Sequence, residues 1–257
     1  MTLFIPVLSL LTGCSPPEAP EELNELTAFI FEHAQDVEPD EIEQGVLNLE
    51  AWMSTRLEEA KDGYEVDNLT TDSVGELDQC TRDITGLIGA AVGTTSPHSA
   101  DDLIELWLAG DPMDLYDSML AYERDVLLND VDCFLSHECE TLHYDSYSTK
   151  KFALGIEVEA VSRAQWRWVE LDDGYAAVQR TWLALPMKAS PAWLDVEEQF
   201  YLSVLMPRKN NKSVRMQAIW AVTEIDNAPV PEGIALGLAI DQMKSDAETS
   251  DDWLSTH

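Results

Sequence analysis

Bases are scarce in this chain. Lys and Arg number 15 against 49 Asp and Glu, which gives a formal net charge of −34 over 257 residues. A field of that sign repels phosphate backbones, which argues against nucleic acid as a partner, and it repels anionic headgroups, which argues against a basic patch as the route to a membrane. Cysteine is sparse as well, at 4, and histidine stands at 5, so there is no dense disulfide framework. Beyond the first residues no apolar run approaches the ~20 residues of a membrane-spanning helix. Also missing are the Gly-x-Ser-x-Gly elbow, the phosphate-binding loop, the dinucleotide fingerprint and His-Glu-x-x-His, since His137-Glu138 meets its next histidine only at His143. The sequence therefore reads as a non-enzyme with no cofactor and no assigned metal ligand.

What is present is 45% hydrophobic content with 8 tryptophans, enough for a sizeable packed core. The apolar residues begin at once. Leu3, Phe4, Ile5, Val7, Leu8, Leu10 and Leu11 form a run that Thr12 and Gly13 close ahead of Cys14. It is too short to span a bilayer and has the size of the apolar region of a secretory signal. Leu11-Thr12-Gly13-Cys14 resembles the lipobox of bacterial lipoproteins. That resemblance implies removal of residues 1–13, a diacylglyceryl group on Cys14, and a lipid-anchored place in the cell envelope, at the outer membrane facing the periplasm or the cell surface. Residues 14–20, with Pro16, Pro17 and Pro20, read as a stiff tether.

Export fits the remaining cysteines. Cys133 and Cys139 lie six apart and are the expected disulfide, with Cys80 free or pairing instead. A competing reading takes Cys133, His137, Cys139 and His143 as nitrogen and thiolate ligands of a kind zinc accepts, at a spacing that is not a common zinc pattern.

Residues 21–79 read as a helical extension. Ile42, Val46, Leu49, Met53, Leu57 and Ala60 recur at helical intervals, Asp40 and Glu41 suit the start and Gly63 the stop, and Leu23, Leu26, Phe29 and Ile30 stripe a shorter helix before it. Residues 80–250 read as an α+β domain. A glycine-rich strand over 84–95 leads to a helix capped by Ser99 and Asp102 that ends near Gly110, and a second helix is expected over 115–127. Strand-like runs follow at 152–161, 164–171, 175–185, 198–206 and 213–225. Asp172-Asp173-Gly174 and Lys209-Asn210-Asn211-Lys212 are hairpin turns, and a helix over 231–247 is apolar on more than one side.

That order resembles the helix-grip fold of the START-like superfamily. Local wording is similar at Gly93–Leu103, at Tyr116-Asp117-Ser118-Met119, at Trp166-Arg167-Trp168 and at Val178-Gln179-Arg180-Thr181. The resemblance implies an antiparallel sheet wrapped around the last helix and enclosing a pocket for a hydrophobic or lipid-like molecule. Pocket residues are then expected among the large apolar side chains of the strands and the last helix: Trp166, Trp168, Phe200, Met216, Trp220, Leu236 and Ile240. The alternative is an envelope lipoprotein whose core is filled and whose amino-terminal helices dock a partner protein.

Overall fold

A computed structural model describes residues 18–77, 84–151, 155–190, 194–225, 228–229 and 232–257. Cys14, with the lipobox, and Cys80 lie outside the described residues. The expected α+β architecture is present. The described strands form a nine-stranded antiparallel sheet in the order β1 (Tyr64–Glu65), β2 (Ile88–Ser96), β8 (Lys212–Ile225), β7 (Leu194–Arg208), β6 (Gly174–Ser190), β5 (Glu157–Leu171), β4 (Thr141–Lys151) and β3 (Met119–Leu128), with β9 (Ala228–Pro229) added beside β8. Between β2 and β3 run α4 (Ala100–Ala109) and the single turn α5 (Pro112–Leu115). α6 (Val131–Leu135) joins β3 to β4, and α7 (Glu232–Thr256) closes the chain, extending past its expected end. No helix among the described residues is long and apolar enough to cross a membrane.

Sequence signals act locally as expected at several points. Ser99 accepts from the Asp102 N–H while Asp102 bonds back to the Ser99 N–H, a reciprocal cap for α4. Gly174, at φ 134°, closes the β5–β6 hairpin opposite Leu171, and Asn210 and Asn211, at φ 65° and 57°, turn β7 into β8. The expected second helix over 115–127 is a different structure. After α5 the chain turns at Tyr116–Ser118 and runs as strand β3, so the Tyr116-Asp117-Ser118-Met119 step lies at a turn rather than in a helix. Tertiary contacts override the local pattern there: Arg124 on β3 donates to the Leu108 and Trp107 carbonyls at the end of α4, the latter at 3.0 Å. β4, which carries Asp145, Ser146, Ser148 and Thr149 and offers little apolar signal, is a further strand. The runs 164–171 and 157–161 are one strand, β5.

The sheet is covered on both faces. On the outer face lie α1 (Leu23–His33), α2 (Asp40–Ala60) and α3 (Thr71–Gly75). Leu23, Leu26, Ile30 and Phe31 of α1 and Ile42, Val46, Leu49 and Met53 of α2 share one buried cluster with Val178, Trp182, Phe200, Leu202, Val204, Met216, Ala218 and Trp220. The helical extension is thus a layer of the same core. Close approach is built into β2: a Cβ on Gly93 would stand 2.8 Å from Leu57 and one on Gly89 2.6 Å from the Trp220 ring. Arg180 and Arg167 rise from the same face to the end of α1 and the turn after it. Arg180 donates to the Phe31 and Glu32 carbonyls, each at 3.1 Å, and Arg167 to that of Asp36 at 2.7 Å, so buried guanidinium groups satisfy backbone oxygens that the helix leaves open.

The inner face carries α4, α6 and α7. Its cluster joins Leu103, Ile104 and Leu108 of α4 with Phe134 of α6 and with Leu142, Tyr144, Ala164, Trp166, Trp168, Ala177 and Leu205 of the sheet.

Candidate functional site

The alternation of strands decides what faces inward. In β8, Met216, Ala218 and Trp220 belong to the outer cluster, so Arg215, Gln217 and Ile219 point the other way. Gln217 pairs across to Ser203 of β7, and Ser203 to Gln179 of β6, which lays a polar row over three strands of the inner face. Above it sits a cavity of about 210 Å³, walled by Leu106 and Trp107 of α4, Leu115 and Tyr116, Met119, Tyr122 and Arg124 of β3, Tyr144, Trp166 and, from α7, Asp246. A second cavity of about 260 Å³ shares Tyr201 and Asp246 with the first and continues beneath α7 over Val158, Ala160, Met187, Ile219, Ala239 and Met243.

One chamber is rich in hydrogen-bonding groups, and its neighbour is mixed, its apolar side facing Ser148, Lys150, Ser162, Gln199 and Gln242. In the first, Gln217 Nε2 donates to the Tyr201 hydroxyl at 2.6 Å, and Trp107 Nε1 donates to Ser250 Oγ at 3.0 Å. Trp166 Nε1 reaches the Tyr144 hydroxyl at 3.4 Å. Arg124 lies over the Tyr144 ring, 4.7 Å from its centroid, and Arg215 over Trp107 at 4.8 Å. Burial pushes the Tyr144 hydroxyl up to about 12, and burial likewise raises Tyr116 and Tyr201, the former with help from Asp246. All three stay neutral O–H groups near pH 7.

Of the residues expected to line a pocket, Trp166 does so. Trp168 is on the same face but lies under the Cys133–Cys139 loop, stacked on Phe134 at 4.8 Å with its Nε1 donating to the Phe134 carbonyl at 2.8 Å and the His137 ring 4.3 Å away. Phe200, Met216 and Trp220 are on the outer face, where Phe31 meets the Phe200 and Trp220 rings edge-on at 5.9 and 5.7 Å. These three are corrected from pocket to packing: a period of two shows which residues share a face but not which layer covers it. Leu236 is half-exposed and Ile240 packs against Gly63; neither lines the two cavities. The polar lining, Tyr116, Tyr144, Tyr201, Ser203, Arg215, Gln217 and Asp246, was not anticipated. Its signal was present: Arg215 and Gln217 interrupt an otherwise apolar strand on one face.

Cys133 and Cys139 form the expected disulfide, with Cα atoms 5.3 Å apart. The competing zinc set does not assemble, because His143 Nε2 instead meets Gln35 Oε1 at 2.9 Å across the outer face. The disulfide holds α6 as a plug whose Phe134 is fully buried in the inner cluster.

No protein-family model matches the sequence, and no curated protein matches it. Among solved structures, a START superfamily protein from Mycobacterium smegmatis is similar with a TM-score of 0.44 and 8% identity over 65% of this chain and 97% of that one. A STAR-related lipid transfer protein from Xanthomonas axonopodis has a TM-score of 0.44 and 12% identity over 68% and 90%. Human STARD10 has a TM-score of 0.41 and 11% identity over 81% and 82%.

Proposed function

We propose that this chain is an exported, lipid-anchored binding protein without catalytic activity, held at the cell envelope through Cys14 and carrying a hydrophobic or lipid-like molecule beneath α7. The observation that carries this reading is the pair of adjoining cavities on the inner face, which share Tyr201 and Asp246 and of which the second has an apolar side. Each alone falls below the ~300 Å³ at which small-molecule sites begin, and together they enter that range.

The alternative, a filled core with partner docking through the amino-terminal helices, would have to use the solvent-facing sides of those helices. The apolar stripes of α1 and α2, including Leu23, Leu26, Ile30, Ile42, Val46 and Leu49, are fully buried against the sheet and are not free for another protein. Attachment through Cys14 follows from the lipobox resemblance and from a net charge of −34 that disfavours direct adhesion to anionic lipid.

The test is native mass spectrometry of the chain carrying Cys14→Ser, purified without detergent from a bacterial host. A bound mass that organic solvent removes, and whose removal lets an apolar fluorescent probe enter, is the expected result. Protein that is ligand-free and does not take up such a probe overturns the reading.

A further inference from the structure

The two chambers make unequal demands, and the demands of the first are unmet within the chain. Arg215 is 7% exposed and Gln217 is 1% exposed, yet both line the cavity. Arg215 lies over Trp107 and, among the described residues, forms no hydrogen bond or ion pair. Gln217 donates through Nε2 to Tyr201, while its Oε1, also buried, has no donor among the described residues. A buried amide oxygen without a donor is costly, and the Arg215 guanidinium opens on the same cavity, with Asp246 in its wall but not in an ion pair with it. Such groups in a cavity wall describe what should fill it.

Arg124, the other arginine of this chamber, is already occupied: Nε donates to the Tyr122 hydroxyl at 3.0 Å and its two terminal nitrogens to the Leu108 and Trp107 carbonyls. One guanidinium is left with open donors, which suits a monoanion, and its planar fork matches a carboxylate. Asp246, which accepts from Gln242 Nε2 at 2.8 Å, stands where the two chambers meet. A carboxylate there would repel a second anionic group and, like Gln217 Oε1, would accept from a hydroxyl. Beyond Asp246, Val158, Ala160, Met187, Ile219 and Met243 give the second chamber an apolar side suited to a hydrocarbon chain, with Ser148, Lys150, Ser162, Gln199 and Gln242 along the rest of its wall.

Resting on the binding reading above, we infer that the ligand is an amphiphilic monocarboxylic acid bearing a hydroxyl near its head, the carboxylate on Arg215, the hydroxyl on Gln217 Oε1, and the alkyl chain under α7.

Titration of the delipidated full-length chain carrying Cys14→Ser with β-hydroxydecanoate, decanoate and decanol, read by calorimetry, tests this. The expected order is β-hydroxydecanoate tightest and decanol weakest, about tenfold or more apart. In Arg215→Met the acids should fall to the affinity of decanol while decanol itself is unchanged. Arg215→Lys, which keeps the charge, should retain the preference for acids and guards against a folding defect in the first variant. Gln217→Leu should remove the advantage of the hydroxy acid over decanoate. If decanol binds as tightly as the acids, or Arg215→Met leaves the order intact, the carboxylate assignment fails while the binding reading stands. If none of the three binds, the carboxylate assignment fails, and the bound mass and probe uptake described above decide the binding reading.

Discussion

Arg215 and Met216 are consecutive in β8 and lie in different layers of the molecule. Arg215 enters the cavity beneath α7, whereas Met216 is fully buried against the amino-terminal helices. One sheet thus separates a packed layer from a hollow one, and substitutions on its two faces should have different consequences.

Phe200→Ala, on the packed face, should destabilise the fold by about 3–5 kcal/mol, as large-to-small changes of a buried aromatic do. Affinity for any ligand under α7, measured per folded molecule, should stay unchanged. Urea denaturation gives the first quantity and calorimetry the second; a loss of affinity without loss of stability would place Phe200 at the site after all.

Deletion of residues 21–63 should fail to leave a folded remainder. It removes α1 and α2 and bares Trp182, Phe200, Met216 and Trp220, all fully buried in the intact chain. Insoluble protein, or a soluble form without a cooperative transition, is expected. A cooperative melt would show that the extension is dispensable.

Arg180 tests how α1 is held. Burial pulls its guanidinium down to about 10, so it stays charged at neutral pH. Arg180→Met leaves the Phe31 and Glu32 carbonyls without their donor and should cost about 2–3 kcal/mol. Faster amide exchange should be concentrated in α1; uniform exchange across the sheet would contradict this role.

His143 predicts a pH dependence. Burial, then the charges of Arg180, Arg163 and Arg167, hold its pKa below the ordinary 6.5. The unfolded chain therefore takes up this proton first. Above 6.5 the ring is neutral in both states and contributes nothing; as pH falls through 6.5 toward the folded value, stability is lost. In His143→Asn the decline over that interval should be shallower. Parallel declines would assign the acid sensitivity to other groups.

Much of the fold was legible because it rests on local chemistry: the Ser99 cap, the hairpin turns at Gly174 and Asn210-Asn211, and the helical period from Ile42 to Ala60. β3 was illegible because what holds it extended is its ladder with β4, joined by Arg124 reaching the end of α4, contacts with no local trace. β4 was illegible for want of apolar residues. The site differs from the sequence expectation at Phe200, Met216 and Trp220 for a different reason. Both faces of each central strand are buried, so the richer apolar face invited the pocket assignment. A sheet layered on both sides puts its most apolar face where packing is tightest, and its polar alternation, Gln179, Ser203 and Gln217, where space remains.

The disulfide loop offers a direct probe of the plug. Cys133→Ser with Cys139→Ser opens a six-residue separation and should cost about 2 kcal/mol. Freed of that closure, Phe134 should release Trp168, and tryptophan emission should shift to the red before global unfolding. Coincident transitions would show the plug to be independent of the bond.

The pairing of β2 with β8 brings Ile88 beside Ala221. Strands β3 to β7 and the inner helices α4 and α6 are encoded between them, so β2 cannot find its partner until β8 exists. Such a high contact order makes folding slow compared with helical or hairpin assembly. The topology itself keeps one edge of the sheet open until β8 has joined β2.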